Sequence, residues 1–152
     1  GVDCSSREAR DVYEAYLSQG HFFIPGAREL LETLAPRYNL YLASNGTAAV
    51  QAGRLKSAGI ARYFKEIFIS EKMGYNKPSP AYFHACFDAI PGFDLAAAVM
   101  VGDSLTSDIL GARNVGLRNC WFNSRGLPPR SDIPADYTIR TLAELPPLLE
   151  KL

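Results

Sequence analysis

The chain has 152 residues, a length typical of one domain, and 47% of them are apolar, which is enough for a sizeable core. Its 16 acidic and 16 basic residues balance and are scattered along the chain, which excludes strong attraction to nucleic acid or to an anionic membrane surface. No apolar segment is long enough to span a bilayer, and the first residues lack a signal-peptide pattern. The three cysteines fit no common metal motif, so we expect a reduced, cytoplasmic setting.

The predicted elements begin with two helices and continue as alternating strands and helices. A capping-box pattern at 5–8 opens a helix that ends at Gly20, and Pro25 with Gly26 opens a second helix. Strands are then predicted at 39–43, within 64–70, and at 98–101, 118–122 and 136–139, and helices at 47–58, 79–90, 108–115 and after a second capping box at 141–144. Because the strands are short, apolar and separated by helices, the sequence predicts an α/β fold with a parallel sheet covered by helices.

Three of the predicted strands end in polar residues that suit phosphate chemistry. The motifs are Ser-Asn-Gly at 44–46, Lys77 in a proline-flanked loop, and Gly-Asp-Ser-Leu-Thr-Ser-Asp at 102–108. Because the carboxyl ends of parallel strands form one edge of a sheet, where ligands bind, we expect the three motifs to lie at one site. A hydroxyl and an ammonium suit a phosphoryl oxygen, and carboxylates suit a divalent cation.

Each motif also has a simpler structural interpretation. A helix-capping role for Ser107 or Asp108 would account for one acid, but it would leave Asp103 unexplained. Two acids five residues apart would also repel each other unless a cation or a lysine lies between them. Lys77 alone is most simply a solvated lysine before a proline-capped helix, and the neighbouring acids favour a functional role. The Asn-Gly pair is typical of a hairpin turn, but the helical pattern after it suits an anion held at a helix N-terminus.

In this order the three motifs resemble the second, third and fourth motifs of the haloacid dehalogenase superfamily of phosphatases. The resemblance covers nearly the whole chain from Pro25 onward, and Cys-Trp-Phe-Asn at 120–123 with Gly-Leu-Pro at 126–128 looks like the branch that contains pyrimidine 5′-nucleotidases. It implies a Rossmann-like three-layer sandwich with a mostly parallel sheet for residues 23–152. Residues 1–22 would be the last helix of a helical cap.

The resemblance also implies a mechanism in which Mg²⁺ assists phosphomonoester hydrolysis through a phosphoaspartate, with a second aspartate as general acid and base. It makes Ser44 the phosphate-binding hydroxyl, with Asn45 and Gly46 in the same substrate-binding loop. Lys77 would neutralise the charge of the phosphate and the nucleophile. Asp103 would bind Mg²⁺, and Asp108 would orient the lysine or the waters around the metal.

One part of the family pattern is missing. The first motif, Asp-x-Asp-x-Thr after an apolar strand, does not occur in the 152 residues. The resemblance therefore implies that the nucleophile, the acid/base, most of the cap and the central strand lie upstream of Gly1. On this interpretation the chain alone is inactive and poorly stable. Its substrate would be a small phosphorylated metabolite, with a nucleoside 5′-monophosphate as one candidate.

Two other classes of protein stay open at this point. A phospho-acceptor signalling domain also uses Asp, Ser/Thr and Lys at a parallel sheet edge, but it places its acids first, whereas here Ser44 and Lys77 precede Asp103. A non-catalytic interaction protein on the same fold would account for the missing first motif, since a fold does not fix a function. An upstream strand that ends in Asp-x-Asp would decide for the enzyme.

Overall fold

A computed structural model of the protein describes residues 22–152 together with Ala9 and Tyr16. Two predictions fall on the other residues, namely the helix at 5–20 and the cap remnant at 1–22. Of these positions, only Ala9, Tyr16 and Phe22 are described. In chain order the elements are α1 (Ala27–Leu34), β1 (Tyr41–Ser44), α2 (Ala48–Ala58), β2 (Glu66–Ile69), α3 (Ser70–Met73), α4 (Pro80–Ala89), β3 (Val99–Gly102), α5 (Leu110–Asn114), β4 (Arg118–Phe122), β5 (Tyr137–Ile139) and α6 (Leu145–Leu149). Short 3₁₀ turns lie at Ala61–Tyr63, Leu95–Ala97 and Leu142–Glu144, and a π-helical turn lies at Leu105–Ile109.

The helix ends follow local capping chemistry in most places. The predicted capping box forms, because the Glu144 carboxylate accepts a 2.8 Å hydrogen bond from the Thr141 N–H. The start of the helix predicted at 108–115 differs from the prediction. Ser104 caps the π-helical turn by accepting from the Ser107 N–H at 3.2 Å, so the capping role considered for Ser107 or Asp108 is wrong.

The strands confirm the predicted α/β class, because every strand pair is parallel. They form two sheets in the described part of the chain, one with the order β1-β2 and one with the order β3-β4-β5. Tyr41 lies opposite Glu66 in the first sheet, and Val99 lies opposite Arg118 in the second. β1 and β3 do not pair with each other. The family resemblance already implied that the central strand is missing from the 152 residues.

Helices cover both faces of this arrangement and hold the two sheets together. On one face α4 packs through Phe83 and Cys86 against Phe68 of β2 and Met100 of β3. On the other face α1 and α6 pack against β4, β5 and the alternate residues of β3, including Val99 and Val101. Successive residues of a strand point to opposite faces, so one short strand contributes to both clusters.

A cavity separates the two sheets. It has a volume of about 630 Å³, and its lining includes residues 38–43 and 97–101, which form β1, β3 and the segments before them. The apolar residues of β1 and β3 are only half-buried, whereas four of the five residues of β4 are buried. Within the described residues, no helix is long and apolar enough to cross a membrane.

Candidate active site

The predicted site residues lie at the carboxyl ends of the strands or in the loops that follow them. Ser44 is the last residue of β1, Asp103 directly follows β3, and Lys77 lies in the loop between α3 and α4. The structure brings two of these segments into contact. The Lys77 Nζ donates to Asp108 Oδ1 at 2.7 Å and to the carbonyl oxygen of Ala43 at 2.8 Å.

Lys77 and Asp108 form a buried ion pair that links the two sheets. Each side chain is 7% exposed, and buried charges are tolerated only when they are paired and hydrogen-bonded. The second carboxylate oxygen, Asp108 Oδ2, accepts from the Ser104 N–H at 3.1 Å. A lysine ammonium has three donors, and two of them are used here. The third has no partner among residues 22–152 and can donate to an anionic ligand at the same edge.

Gly102 gives Asp108 the space it needs. A Cβ built at Gly102 would lie 2.4 Å from both the Cβ and the Oδ2 of Asp108. Contacts of this length are not tolerated, so any larger residue would displace the carboxylate from Lys77. The glycine of the 102–108 motif therefore leaves room for the Asp108 carboxylate to reach Lys77.

Asn45 holds the backbone of Lys77. Its Oδ1 accepts from the Lys77 N–H at 2.9 Å, and its Nδ2 donates to the Lys77 carbonyl oxygen at 2.9 Å. The end of β1 therefore contacts both ends of Lys77, because the Ala43 carbonyl oxygen binds the ammonium. The sequence placed Asn45 in a substrate-binding loop but gave no signal of this contact, which joins residues 32 positions apart.

The loop after β1 is also fixed by residues that follow β2. The Gly46 N–H donates to Ser70 Oγ at 3.1 Å, and the Ala48 N–H donates to Glu71 Oε2 at 2.7 Å. Thr47, at the N-cap position of α2, makes no side-chain capping bond, so the Glu71 carboxylate takes this role. These two N–H groups therefore have protein partners and do not face an open anion site. Sequence analysis did not identify Glu71, although it lies two residues after the end of β2.

Asp103 is exposed, and it differs from Asn45, Lys77 and Asp108 in that its side chain has no partner among residues 22–152. Its carboxylate makes no hydrogen bond or ion pair with residues 22–152. Its carbonyl oxygen accepts from the indole Nε1–H of Trp121 at 3.1 Å. Trp121 lies in β4 opposite Gly102, so the neighbouring strand fixes the backbone from which the carboxylate extends. The sequence gave no signal of this contact either.

The residues present fit part of a magnesium site. Within the described part of the chain, no group of three or more His, Cys, Asp or Glu side chains could hold a metal ion. Mg²⁺ commonly takes one or two carboxylates and keeps several waters. The exposed carboxylate of Asp103 can act as one of these Mg²⁺ ligands. Asp108 cannot, because Lys77 and the Ser104 N–H already occupy its two oxygens.

A second depression, of about 800 Å³, lies elsewhere on the surface. Its lining includes Arg118 and Tyr137, the first residues of β4 and β5, and none of the predicted site residues. It is therefore at the amino ends of these strands. Ligands of open α/β sheets bind at the carboxyl ends, so we assign the candidate active site to the edge that carries Lys77 and Asp103.

Parallel strands alternate with helices here, and an ammonium and two carboxylates lie at their carboxyl edge, as the family resemblance implied. A model of the haloacid dehalogenase-like hydrolase family matches residues 2–116, and the chain belongs to this family. The predicted family resemblance is confirmed.

Individual relatives agree with this assignment. The chain is 39% identical to the HAD-hydrolase YfnB of Bacillus subtilis over 145 residues, which is 95% of this chain and 62% of YfnB. It is 36% identical to the pyrimidine 5′-nucleotidase PynA of Streptococcus pneumoniae over 140 residues, which is 91% of this chain and 59% of PynA. The chain therefore spans about three fifths of the length of these relatives.

Solved structures show the same fold. A crystal structure of YfnB bound to magnesium superposes with a TM-score of 0.89 and covers 91% of this chain and 61% of that one. A 2-haloacid dehalogenase from Pseudomonas syringae, 31% identical, superposes with a TM-score of 0.81 and covers 99% of this chain and 64% of that one. The family thus contains relatives named for phosphate ester hydrolysis and for dehalogenation.

Proposed function

We propose that the chain forms most of the catalytic core of a Mg²⁺-dependent phosphomonoester hydrolase. The observation that carries this proposal is the buried Lys77–Asp108 pair beside an exposed Asp103. An ammonium held in place by a carboxylate and a carbonyl oxygen offers fixed positive charge to a phosphoryl group. An exposed carboxylate without a partner in residues 22–152 offers a ligand to a hard cation.

Each residue has a role that its position supports. Ser44 is the last residue of β1 and follows Ala43, whose carbonyl oxygen binds Lys77, so we assign its hydroxyl to a phosphoryl oxygen at this edge. The third N–H of Lys77 would neutralise developing charge, and Asp108 would keep the ammonium in place. Asp103 would hold Mg²⁺, which supplies charge neutralisation when it is bound.

We further propose that a strand from upstream of Gly1 fills the cavity between β1 and β3. A strand there would find main-chain partners on both sides and would bury an apolar run on both faces. Its carboxyl end would lie between Ser44 and Asp103, close to Lys77. A nucleophilic aspartate at that position, with the acid/base two residues later, would complete the site. The coverage of about three fifths of each relative supports this proposal.

The similarity to a pyrimidine 5′-nucleotidase supports a nucleoside 5′-monophosphate as substrate. The test uses the longer protein, in which the upstream sequence precedes residues 1–152. It is assayed with p-nitrophenyl phosphate and with a panel of nucleoside 5′-monophosphates, with Mg²⁺ and with EDTA. We expect Mg²⁺-dependent phosphate release that is fastest for pyrimidine nucleotides, and residues 1–152 alone should release none.

The same assay separates the alternatives. Halide release from a 2-haloalkanoate without phosphate release would replace the proposal with a dehalogenase, the activity for which the Pseudomonas syringae relative is named. The absence of both activities in the longer protein would favour a non-catalytic interaction protein. Phosphatase turnover by residues 1–152 alone, lost on Asp103→Asn, would show that the nucleophile lies within this chain.

A further inference from the structure

We infer that Asn45 is a positioning residue for Lys77, and that it acts on the reaction through its side-chain hydrogen bonds to the Lys77 peptide. This inference rests on the proposed function, in which Lys77 neutralises the charge of the phosphoryl group. It gives the Asn45 side chain a role that is separate from any contact with the substrate.

The geometry provides the first argument. Both hydrogen bonds between Asn45 and Lys77 are 2.9 Å long, which is an ordinary length for strong N–H···O bonds. The Asn45 Oδ1 accepts from the Lys77 N–H, and the Asn45 Nδ2 donates to the Lys77 carbonyl oxygen. The two contacts together fix the position and the orientation of the lysine backbone relative to the end of β1.

The second argument comes from the lysine side chain. A lysine has four methylene groups and carries about 2 kcal/mol of rotamer entropy, so its ammonium is placed reliably only when both ends are held. Asp108 and the Ala43 carbonyl oxygen hold the ammonium, and Asn45 holds the backbone. Ala43 and Asn45 at the end of β1, together with Asp108, therefore hold both ends of Lys77.

The third argument concerns the expected size of the effect. A displacement of about 1 Å at a catalytic group can lower a rate by about 100-fold. Loss of the Asn45 contacts would let the Lys77 backbone move while the ammonium stays tethered to Asp108. We therefore expect Asn45→Ala in the longer protein to lower kcat by about 10- to 100-fold. KM should change by less than about threefold, because the lysine acts mainly in the transition state.

A double-mutant cycle tests whether the effect passes through Lys77. The cycle compares Asn45→Ala in the wild-type background with the same change in a Lys77→Met background. We expect the loss of kcat to fall to less than about twofold in the second background, because the group being positioned is gone. An equal loss in both backgrounds would overturn the inference and would favour a direct contact between Asn45 and the substrate.

Asn123 provides a matched control. It makes the same pair of contacts with another backbone segment, since its Nδ2 donates to the Leu127 carbonyl oxygen at 2.8 Å and its Oδ1 accepts from the Leu127 N–H at 2.9 Å. Asn123→Ala therefore removes a comparable backbone contact at the end of β4 without touching Lys77. Its effect on kcat should be the same in the wild-type and Lys77→Met backgrounds.

A measurement without turnover separates this inference from the proposed function. Amide hydrogen exchange reports the protection of the Lys77 N–H by Asn45 in the longer protein. We expect exchange at Lys77 to accelerate in Asn45→Ala and to stay unchanged in Asn123→Ala. Unchanged exchange in Asn45→Ala would overturn the inference whatever the activity. A longer protein that shows this acceleration but has no phosphatase activity would refute the proposed function and leave the contact established.

Discussion

The two sheets present their polar residues in different ways. At the end of β1, the loop residues are bound to groups that follow β2: Asn45 holds the Lys77 peptide, and Ser70 accepts from the Gly46 N–H. At the end of β3, Asp103 is exposed, and its carboxylate has no partner in the described part of the chain. The first region is fixed by its own contacts, whereas the second presents a free charge.

This difference supports separate roles for the two regions of the site. Donors that are already in position stabilise developing negative charge without reorganisation, which is the role proposed for Lys77. A free carboxylate can bind a cation without first breaking an ion pair, which is the role proposed for Asp103. The Lys77–Asp108 pair joins the two regions. Substitutions that act on one region should therefore differ in kind from those that act on the other.

Lys77→Met should have the largest effect, because it breaks the link between the regions. Removing one partner of a buried ion pair leaves an uncompensated charge and costs about 3–5 kcal/mol of stability. In the longer protein kcat should also fall by orders of magnitude. Urea unfolding and steady-state kinetics measure the two effects.

A second substitution separates these two effects. Adding Asp108→Asn to Lys77→Met removes the unpaired charge, so most of the lost stability should return while kcat stays low. A Lys77→Met variant with near-normal kcat and only a modest change in KM would contradict the role proposed for the lysine.

Asp103→Asn should affect function without affecting stability. The carboxylate is exposed and makes no contact with residues 22–152, so the free energy of unfolding should change by less than about 0.5 kcal/mol. Mg²⁺ binding by titration calorimetry and Mg²⁺-dependent phosphate release should both be lost in the longer protein. Retained Mg²⁺ binding would contradict the metal-binding role proposed for Asp103. A large loss of stability would show that its carboxylate, like the side chains at the end of β1, is held by protein groups.

Two glycine substitutions compare the regions directly. Gly102→Ala places a Cβ 2.4 Å from Asp108, so it should cost about 1–3 kcal/mol of stability and displace the carboxylate from Lys77. Gly46→Ala places a Cβ 2.9 Å from the amide end of the Gln51 side chain, which can move away. Its cost in stability should be smaller, and chemical denaturation measures both. Equal costs would mean that the Asp108 side chain moves away from the new Cβ as easily as the Gln51 side chain does.

The sequence predicted the parts of the fold and the site that depend on local pattern. Asp103 was identifiable because it directly follows an apolar run, and Lys77 because it lies in a proline-flanked loop and occurs together with the acidic motif. The α/β class followed from the same alternation. Local pattern does not determine which strands lie next to each other. The gap between β1 and β3 followed instead from the family resemblance, which implied a missing central strand.

The contacts that sequence analysis missed join distant positions. Asn45 and Lys77 are 32 residues apart, and Trp121 and Asp103 are 18 residues apart. These hydrogen bonds depend on how the loops meet at the sheet edge, which no short pattern encodes. The cap at Ser104 was missed for another reason, because a π-helical turn begins the helix earlier than the predicted start at 108.

The last expected effect concerns one buried thiol in each region and changes stability alone. Cys86 packs against Phe68 beside the first sheet, and Cys120 lies in β4 of the second. Burial raises the pKa of each thiol from 9.0 to about 11. The folded state therefore keeps these protons at a pH at which the unfolded chain loses them. This contribution to stability is complete below about pH 9 and is lost as the pH rises to about 11.

Urea unfolding of the longer protein between pH 8 and pH 11 measures this contribution. A difference of two pKa units corresponds to about 2.7 kcal/mol at most for each thiol. We expect stability to fall above about pH 9, and the fall should be shallower in Cys86→Ala and in Cys120→Ala. The double variant should show the shallowest fall, since the two thiols lie in separate clusters and should act independently. Parallel curves for the wild type and the double variant would show that neither thiol loses its proton on unfolding in this range. Burial would then not raise the pKa of either thiol above its value in the unfolded chain.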